Sequence, residues 1–124
     1  MLPRLSNVLQ LNHVVSDYLH ELQKQHFEGD IASNYADRLS LATDNSVYQQ
    51  LPQAILFPKS VADVVRITKL ANKEKYLHLT FTPRGGGTGT NGQSINNNII
   101  VDLSRHMTNI LELNIEECWV RVQA

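Results

Sequence analysis

The stretch Pro83-Arg84-Gly85-Gly86-Gly87-Thr88-Gly89-Thr90-Asn91-Gly92 decides how this chain is interpreted, because five of its six glycines fall within it. Glycine lacks a Cβ and reaches positive φ, so another group can approach the main chain closely. Consecutive N–H groups in such a loop can point into one concavity and bind an anion. Arg84 adds a planar cation suited to phosphate, and the threonines and Asn91 add side-chain donors. The stretch therefore predicts a phosphate or diphosphate cradle; the alternative is a surface loop whose glycines only make turns.

Two nucleotide-binding motifs overlap this stretch, and the residues after it argue against both. Gly87 to Gly92 satisfies G-x-G-x-x-G, but the dinucleotide fingerprint requires a helix directly after the loop. Residues 93–98 are instead polar and turn-rich. Gly87 to Ser94 also approaches G-x-x-x-x-G-K-[ST], but Gln93 stands where the lysine is needed. The pattern that remains is a Gly/Thr loop between two strands.

The residues before the loop predict a right-handed, parallel strand–helix–strand unit. Ala54-Ile55-Leu56-Phe57 is a continuous apolar run between prolines, typical of a strand that is buried on both faces. Ser60 is expected to cap a helix that continues to Ala71, with Asp63 completing a weaker form of the capping box. Leu77 to Phe81 alternates between apolar and polar residues and predicts the second strand. The glycine loop would then follow the carboxyl end of that strand, where ligands bind in open α/β sheets.

The residues after the loop predict a third strand and a hairpin. Ile99 to Leu103 is the third strand, and residues 104–107 form a turn whose backbone Asp102 and Ser104 can fix. Ile110 to Asn114 and Cys118 to Val122 flank a short connection, which is a hairpin signal.

The N-terminal part of the chain predicts helices. Apolar residues recur at helical spacing from Val8 to Gln25, and Asn12 is the cap of a shorter alternative. Asp30 or Ser33 is expected to cap a short second helix that ends at Arg38.

Four segments carry a resemblance to a known family. Phe81 to Gln93 and Ala54 to Val64 resemble the first half of the FAD-binding domain of the vanillyl-alcohol-oxidase, or PCMH-type, flavoproteins. Ser33 to Leu39 and Thr43 to Gln49 narrow the resemblance. With them the chain is similar to the large FAD-linked D-2-hydroxyacid dehydrogenases, of the bacterial D-2-hydroxyglutarate type and the D-lactate type.

The resemblance implies that FAD is the cofactor and that the glycine stretch wraps its diphosphate. The implied cofactor-binding residues are Pro83, Arg84, Gly85, Gly86, Gly87, Thr88, Gly89, Thr90, Asn91 and Gly92. Some members attach the flavin through a histidine in this loop; none is present here, so non-covalent FAD is implied. Arg84 either contacts phosphate or clamps the loop. The resemblance also implies that a 2-hydroxy acid is the substrate, and that the catalytic groups and an iron–sulfur region lie beyond residue 124.

Several side chains outside the loop have two interpretations each. Asp44, Ser46 and Tyr48 lie near the cofactor in the resembling family, but Tyr48 alternatively packs into the core. Arg38 either pairs with its neighbour Asp37 or faces the flavin. His106 is expected to be structural or on the surface, and Cys118 to be a small core residue.

The expected fold class is α+β. It consists of N-terminal helices, a small parallel βαβ sheet of about three strands flanked by helices, and the start of an antiparallel hairpin. Residues 1–50 are expected to form a helical extension, and residues 51–124 the first part of a PCMH-type domain cut at 124. A fragment of this kind is expected to bind FAD weakly and to self-associate through its exposed terminal strand.

Composition excludes several classes of function. Eleven basic and twelve acidic residues give a net charge of −1 without a basic patch, so nucleic acid is not an expected partner. The single cysteine cannot form an internal disulfide, which favours the cytoplasm. Neither a membrane-spanning run nor a signal peptide is recognisable. His13, His20 and His26 lack the spacing and partners of a metal site.

Two functions of different class remain. The first is an FAD-dependent dehydrogenase of D-2-hydroxy acids. The second is a non-catalytic module that binds a phosphate, a nucleotide or a partner protein through the same loop.

Overall fold

The computed structural model describes residues 10–123. These residues form a four-stranded sheet with helices packed on it, followed by a two-stranded hairpin. The helices are α1 (His13–Lys24), α2 (Tyr35–Ser40) and α3 (Val61–Ala71), with a 3₁₀ turn at Glu74–Tyr76. The strands are β1 (Asp30–Ala32), β2 (Ala54–Phe57), β3 (Phe81–Arg84), β4 (Ile99–Asp102), β5 (Ile110–Asn114) and β6 (Trp119–Val122).

The strand order in the larger sheet is β1-β2-β4-β3. Strands β2, β4 and β3 run parallel, with Ile100 opposite both Ile55 and Thr82. The predicted α+β class and its three parallel strands are thereby confirmed. Strand β4 lies between the two strands of the predicted βαβ unit, and the antiparallel edge strand β1 is an addition that the sequence did not predict.

Both central strands are buried along their whole length, and for β2 this burial is what its continuous apolar run predicts. One face of the sheet packs against α1 and α3. The buried cluster that the helices and this face form together consists of Val15, Tyr18, Leu19, Leu22, Ala54, Leu56, Ile67, Leu70, Tyr76, Leu79, Ile99 and Val101. The Tyr18 hydroxyl donates to the Ile67 carbonyl oxygen at 2.9 Å and joins the two helices. The opposite face buries Ala32, Ile55, Phe57 and Ile100.

Helix α3 begins as predicted, because the Ser60 hydroxyl oxygen accepts from the Asp63 N–H at 3.2 Å. The Asp63 carboxylate is fully buried. It accepts from the backbone N–H groups of Glu28 at 3.1 Å and Lys59 at 3.0 Å, and it pairs with Arg66 at 3.0 Å. The carboxylate therefore ties the segment before β1 to the start of α3.

The first helix is the shorter of the two predicted alternatives. Helix α1 begins at His13, and the Asn12 side chain accepts from the Val14 N–H at 2.9 Å. The start of the longer alternative, at Val8, lies outside the described residues. The predicted division of the chain after residue 50 stays a prediction; α1 packs on the sheet that the later elements form, and β1 is a strand of that sheet.

The predicted caps of the second helix are wrong. Asn34, rather than Asp30 or Ser33, caps α2, and its side chain accepts from the Asp37 N–H at 2.9 Å. Asp30 instead begins β1, since residues 30–32 pair with β2.

The predicted strand at Leu77–Phe81 is wrong in position, because β3 begins only at Phe81. The 3₁₀ turn continues into a bond from the Leu79 N–H to the Tyr76 carbonyl oxygen at 2.9 Å, so this part of the chain is turned rather than extended. The apolar residues of the alternating sequence pattern do not share one buried face, because Leu79 is buried whereas Leu77 is exposed. Strand β3, which contains Pro83 and Arg84, is at the edge of the sheet, and proline is tolerated in an edge strand.

The turn after β4 is fixed as predicted: the Asp102 carboxylate accepts from the N–H of Ser104 at 2.8 Å and from its hydroxyl at 2.7 Å. Next to it, His106 Nε2 lies 2.7 Å from Asp30 Oδ2. The bond to His106 is the largest cause that lowers the pKa of Asp30. This contact agrees with the structural role predicted for His106.

The predicted hairpin is confirmed as β5 and β6, with Leu113 opposite Val120. The prediction that Cys118 is buried is wrong. Cys118 is exposed and has a φ of 55° in the turn, so it is not part of β6. The Asn114 side chain accepts from the Glu117 N–H at 2.9 Å, and this bond helps to shape the turn.

Candidate functional site

The glycine loop begins at the carboxyl edge of the parallel sheet. Arg84, the last residue of β3, lies opposite Asp102 of β4. The Leu103 N–H donates to the Arg84 carbonyl oxygen at 2.9 Å, so strand pairing extends to the base of the loop. The loop therefore leaves a rigid edge, and this is the edge at which open α/β sheets bind ligands.

The loop presents a run of main-chain donors. Among residues 10–123, the N–H groups of Gly85, Gly86, Gly87, Thr88, Gly89 and Thr90 donate to no protein acceptor. The next N–H group, that of Asn91, donates to the Gln93 side chain at 3.0 Å. Consecutive backbone donors that no carbonyl uses are the groups with which a loop holds an anion.

The glycines at the start of the loop leave room for a ligand. A Cβ at Gly85 would meet nothing within 4 Å, and one at Gly86 would meet only the Thr88 methyl carbon at 3.5 Å. Gly87 and Gly92 have φ values of 65° and 73°, which few other residues adopt. The first pair of glycines keeps the approach open, and the second pair sets the shape of the loop.

The Arg84 side chain contacts the loop and the residues that follow it. Its guanidinium lies against Gly87, where a Cβ would come within 2.8 Å of Cζ. Its Nη1 donates to the Ser94 carbonyl oxygen at 3.5 Å. These contacts fit the predicted role of Arg84 as a clamp, because they join the start of the loop to Gly87 and to Ser94. The other predicted role for Arg84, contact with phosphate, stays a prediction.

Asn96 fixes the return of the chain to β4. This residue is 6% exposed, and its side-chain nitrogen donates to Thr82 Oγ1 at 2.6 Å and to the Ile99 carbonyl oxygen at 3.0 Å. Its side-chain oxygen accepts from the Asn98 N–H at 2.7 Å. Sequence reasoning missed this residue, because an asparagine within a run of asparagines indicates only a turn.

Residues 44–48, which we call the strap, lie across the glycine loop. The Asp44 carboxylate accepts from the Ser46 N–H at 2.8 Å and from the Ser94 hydroxyl at 2.9 Å. Hydrogen bonds from Ser46, and after them those from Ser94, lower the pKa of Asp44. The Asn45 N–H donates to the Gly87 carbonyl oxygen at 3.2 Å. Two of the segments that carry the family resemblance are thereby in contact.

The core position predicted for Tyr48 is wrong: 58% of the residue is exposed. Its ring lies against Gly92, where a Cβ would be 3.0 Å from Cδ2. Arg38 is 1% exposed and its Nε donates to the Pro52 carbonyl oxygen at 2.6 Å, so one of its contacts fixes the segment that leads into β2.

Residues 52–124 match the family model described as the FAD binding domain. The D-2-hydroxyglutarate dehydrogenase of Haemophilus influenzae is 78% identical to this chain over 124 residues, and that of Escherichia coli is 56% identical over the same length. These matches cover 100% of this chain but 12% of each relative, so the chain spans about one eighth of their length.

The structure of 4-ethylphenol oxidase from Gulosibacter chungangensis has the same fold, with a TM-score of 0.66 at 16% identity, over 97% of this chain and 23% of that one. The match to this family model defines the class of the domain as one that binds a nucleotide cofactor. This chain belongs to the FAD binding domain family. The resemblance stated from the sequence is thereby confirmed.

The residues present fit this cofactor. A diphosphate can be bound by consecutive backbone N–H groups, and the loop offers such groups unpaired, with open space at Gly85. None of the helices within residues 10–123 is long and apolar enough to cross a membrane.

Proposed function

We propose that this chain is the first part of the FAD-binding domain of a cytoplasmic enzyme that oxidises a D-2-hydroxy acid by hydride transfer to flavin. The observation that carries the proposal is the run of unpaired amides from Gly85 to Thr90 at the carboxyl edge of the sheet. The names of the relatives at 56% and 78% identity support the reaction and favour D-2-hydroxyglutarate over D-lactate as the substrate.

In this proposal the residues of the chain bind and orient the cofactor. The amides of the loop hold the diphosphate, and Arg84 keeps the loop in shape. Main-chain dipoles neutralise the phosphates without a cluster of cations, which agrees with the net charge of −1. When bound, FAD supplies the hydride acceptor. The groups that bind the carboxylate of the substrate and remove its hydroxyl proton are proposed to lie outside these residues.

The proposal is tested on the full-length protein. D-2-Hydroxyglutarate is added anaerobically, and the visible absorbance of the flavin is followed, with D-lactate and L-2-hydroxyglutarate as the matched alternatives. We expect D-2-hydroxyglutarate to bleach the flavin fastest and the L-enantiomer to leave it oxidised. A colourless preparation that FAD does not reconstitute would remove the proposal and leave a non-catalytic phosphate-binding module.

We propose further that residues 1–124 alone bind FAD weakly, because they span only about one eighth of the length of the relatives they match. Titration calorimetry of the isolated chain with FAD measures this. Micromolar or tighter binding would contradict it.

A further inference from the structure

We propose that the strap, residues 44–48, sets the conformation in which the glycine loop binds the diphosphate, with Asp44 as a positioning residue. The inference rests on the proposed function of the loop. In it the strap acts through the loop and does not itself touch the cofactor.

The strap contacts the loop at three separate points. The Asn45 N–H donates to the Gly87 carbonyl oxygen, and the Tyr48 ring lies against Gly92. Gly87 and Gly92 are the two glycines of the loop with positive φ. The strap therefore holds the loop where its backbone conformation is most unusual. The third contact, from the Asp44 carboxylate to the Ser94 hydroxyl at 2.9 Å, fixes the return of the loop.

The strap is itself held in one shape. The Asp44 carboxylate and the Ser46 hydroxyl oxygen accept from the backbone N–H groups two residues further on, at 2.8 and 3.1 Å. Thr43 and Gln49 form a bridge at its base, and the Gln50 N–H donates to the Ala42 carbonyl oxygen at 2.9 Å. Bonds of this kind between a side chain and the nearby backbone define a turn locally, and we infer that the strap acts as a template for the loop.

Asp44 joins the strap to the clamp formed by Arg84. Its carboxylate accepts from the Ser94 hydroxyl, and the Ser94 carbonyl oxygen accepts from Arg84 Nη1 at 3.5 Å. The chain of contacts Asp44–Ser94–Arg84 thus closes around the loop. A negative charge beside a diphosphate would by itself oppose binding. Any favourable contribution of the Asp44 carboxylate to FAD binding therefore comes from the hydrogen bonds that it accepts. We therefore expect hydrogen bonding at this position to matter more than charge.

The test uses the full-length protein and measures the dissociation constant of FAD by titration of the apoprotein, together with the unfolding midpoint of the apoprotein. Asp44→Ala is expected to weaken FAD binding about tenfold, whereas Asp44→Asn, which keeps an acceptor for the Ser46 N–H, stays within about threefold. The apoprotein midpoint stays unchanged for both. Glu116→Ala, which removes an exposed carboxylate from the hairpin turn, is the control for charge.

The same measurement on Tyr48 separates the ring from the hydroxyl. The contact with Gly92 runs through the ring carbons, so Tyr48→Phe keeps the affinity for FAD and Tyr48→Ala lowers it. In a double-mutant cycle, Asp44→Ala combined with Ser94→Ala is expected to cost no more affinity than the larger single change.

At saturating FAD, the strap variants keep the kcat and the KM for the hydroxy acid, which separates a positioning role from general damage to the fold. The inference is overturned if Asp44→Ala binds FAD within twofold of the wild type, if the two changes are additive, or if the apoprotein midpoint falls in step with the affinity. Wild-type protein that binds no FAD overturns the proposed function instead. If the wild type binds FAD and is reduced by substrate, and Asp44→Ala binds FAD as tightly as the wild type, only the positioning role of the strap is overturned.

Discussion

The central strands β2 and β4 and the hairpin strands β5 and β6 all consist mostly of apolar residues, but their surroundings differ. Every residue of β2 and β4 is buried, whereas Leu113 and Val120 of the hairpin are 66% and 51% exposed. Helices α1 and α3 cover the sheet, and an isolated pair of strands is at best marginally stable in water. A local apolar pattern therefore predicts a strand, whereas the burial of that strand depends on which other elements of the chain pack against it.

The largest effect should separate the two regions directly. Ile55→Ala empties a fully buried position on β2 and is expected to lower the free energy of unfolding of the chain by about 2–5 kcal/mol. Leu113→Ala, at the exposed hairpin position, is expected to change it by less than about 0.5 kcal/mol. Urea unfolding of both variants measures the contrast. Equal losses would mean that the hairpin is as well packed as the sheet.

The buried carboxylate of Asp63 ties the segment before β1 to the start of α3, so its removal should destabilise the fold. Asp63→Ala leaves the N–H groups of Glu28 and Lys59 without their acceptor and is expected to cost about 1–3 kcal/mol. Glu116→Ala, on the exposed hairpin turn, is the control and should be neutral within about 0.5 kcal/mol. An Asp63 variant as stable as the control would show that these bonds contribute nothing to the sheet region.

The contact between Asp30 and His106 should make the stability of the sheet region depend on pH. The folded-state pKa of Asp30 is below its ordinary value of 3.8, chiefly because of the bond to His106. The stabilisation is therefore fully present above about pH 4 and is lost as the pH falls through the folded-state value. Thermal unfolding between pH 7 and 2 should show a shallower acid loss for Asp30→Asn than for the wild type. Identical profiles would contradict the role of this contact between β1 and the turn after β4.

The smallest effect on folding should come from the apolar face of the hairpin. Val120→Thr makes this exposed face more polar and is expected to leave the unfolding midpoint nearly unchanged. The same change should lower the apparent mass of the isolated chain in light scattering at high concentration, because exposed apolar strands favour self-association. A wild-type mass equal to one chain at high concentration would argue against this.

The sequence predicts the elements whose signals are local. Strand β2, helix α3 and the hairpin follow from a continuous apolar run, a serine cap and two strand patterns around a turn. Strand β1 could not be predicted, because its three residues are a strand only by pairing with β2. The alternation at Leu77–Phe81 misleads for a related reason, since Leu79 enters the core from a turned backbone.

The candidate site divides in the same way. The glycine loop is visible as a run of glycines, and its position after a parallel strand follows from the order of the elements. The strap is not visible in this way, because Asp44 and Ser94 are 50 residues apart and each indicates only a local turn. The burial of Asn96 and the exposure of Tyr48 likewise depend on how the loop packs.

Binding of FAD by a Gly85→Ala variant of the full-length protein tests the central claim most directly. A Cβ at this position meets nothing within 4 Å of the protein, so the unfolding midpoint of the apoprotein should not change. The same Cβ would enter the space proposed for the diphosphate, so the affinity for FAD should fall by at least about tenfold. Wild-type affinity for FAD in this variant would contradict the claim that the amides of this loop hold the cofactor.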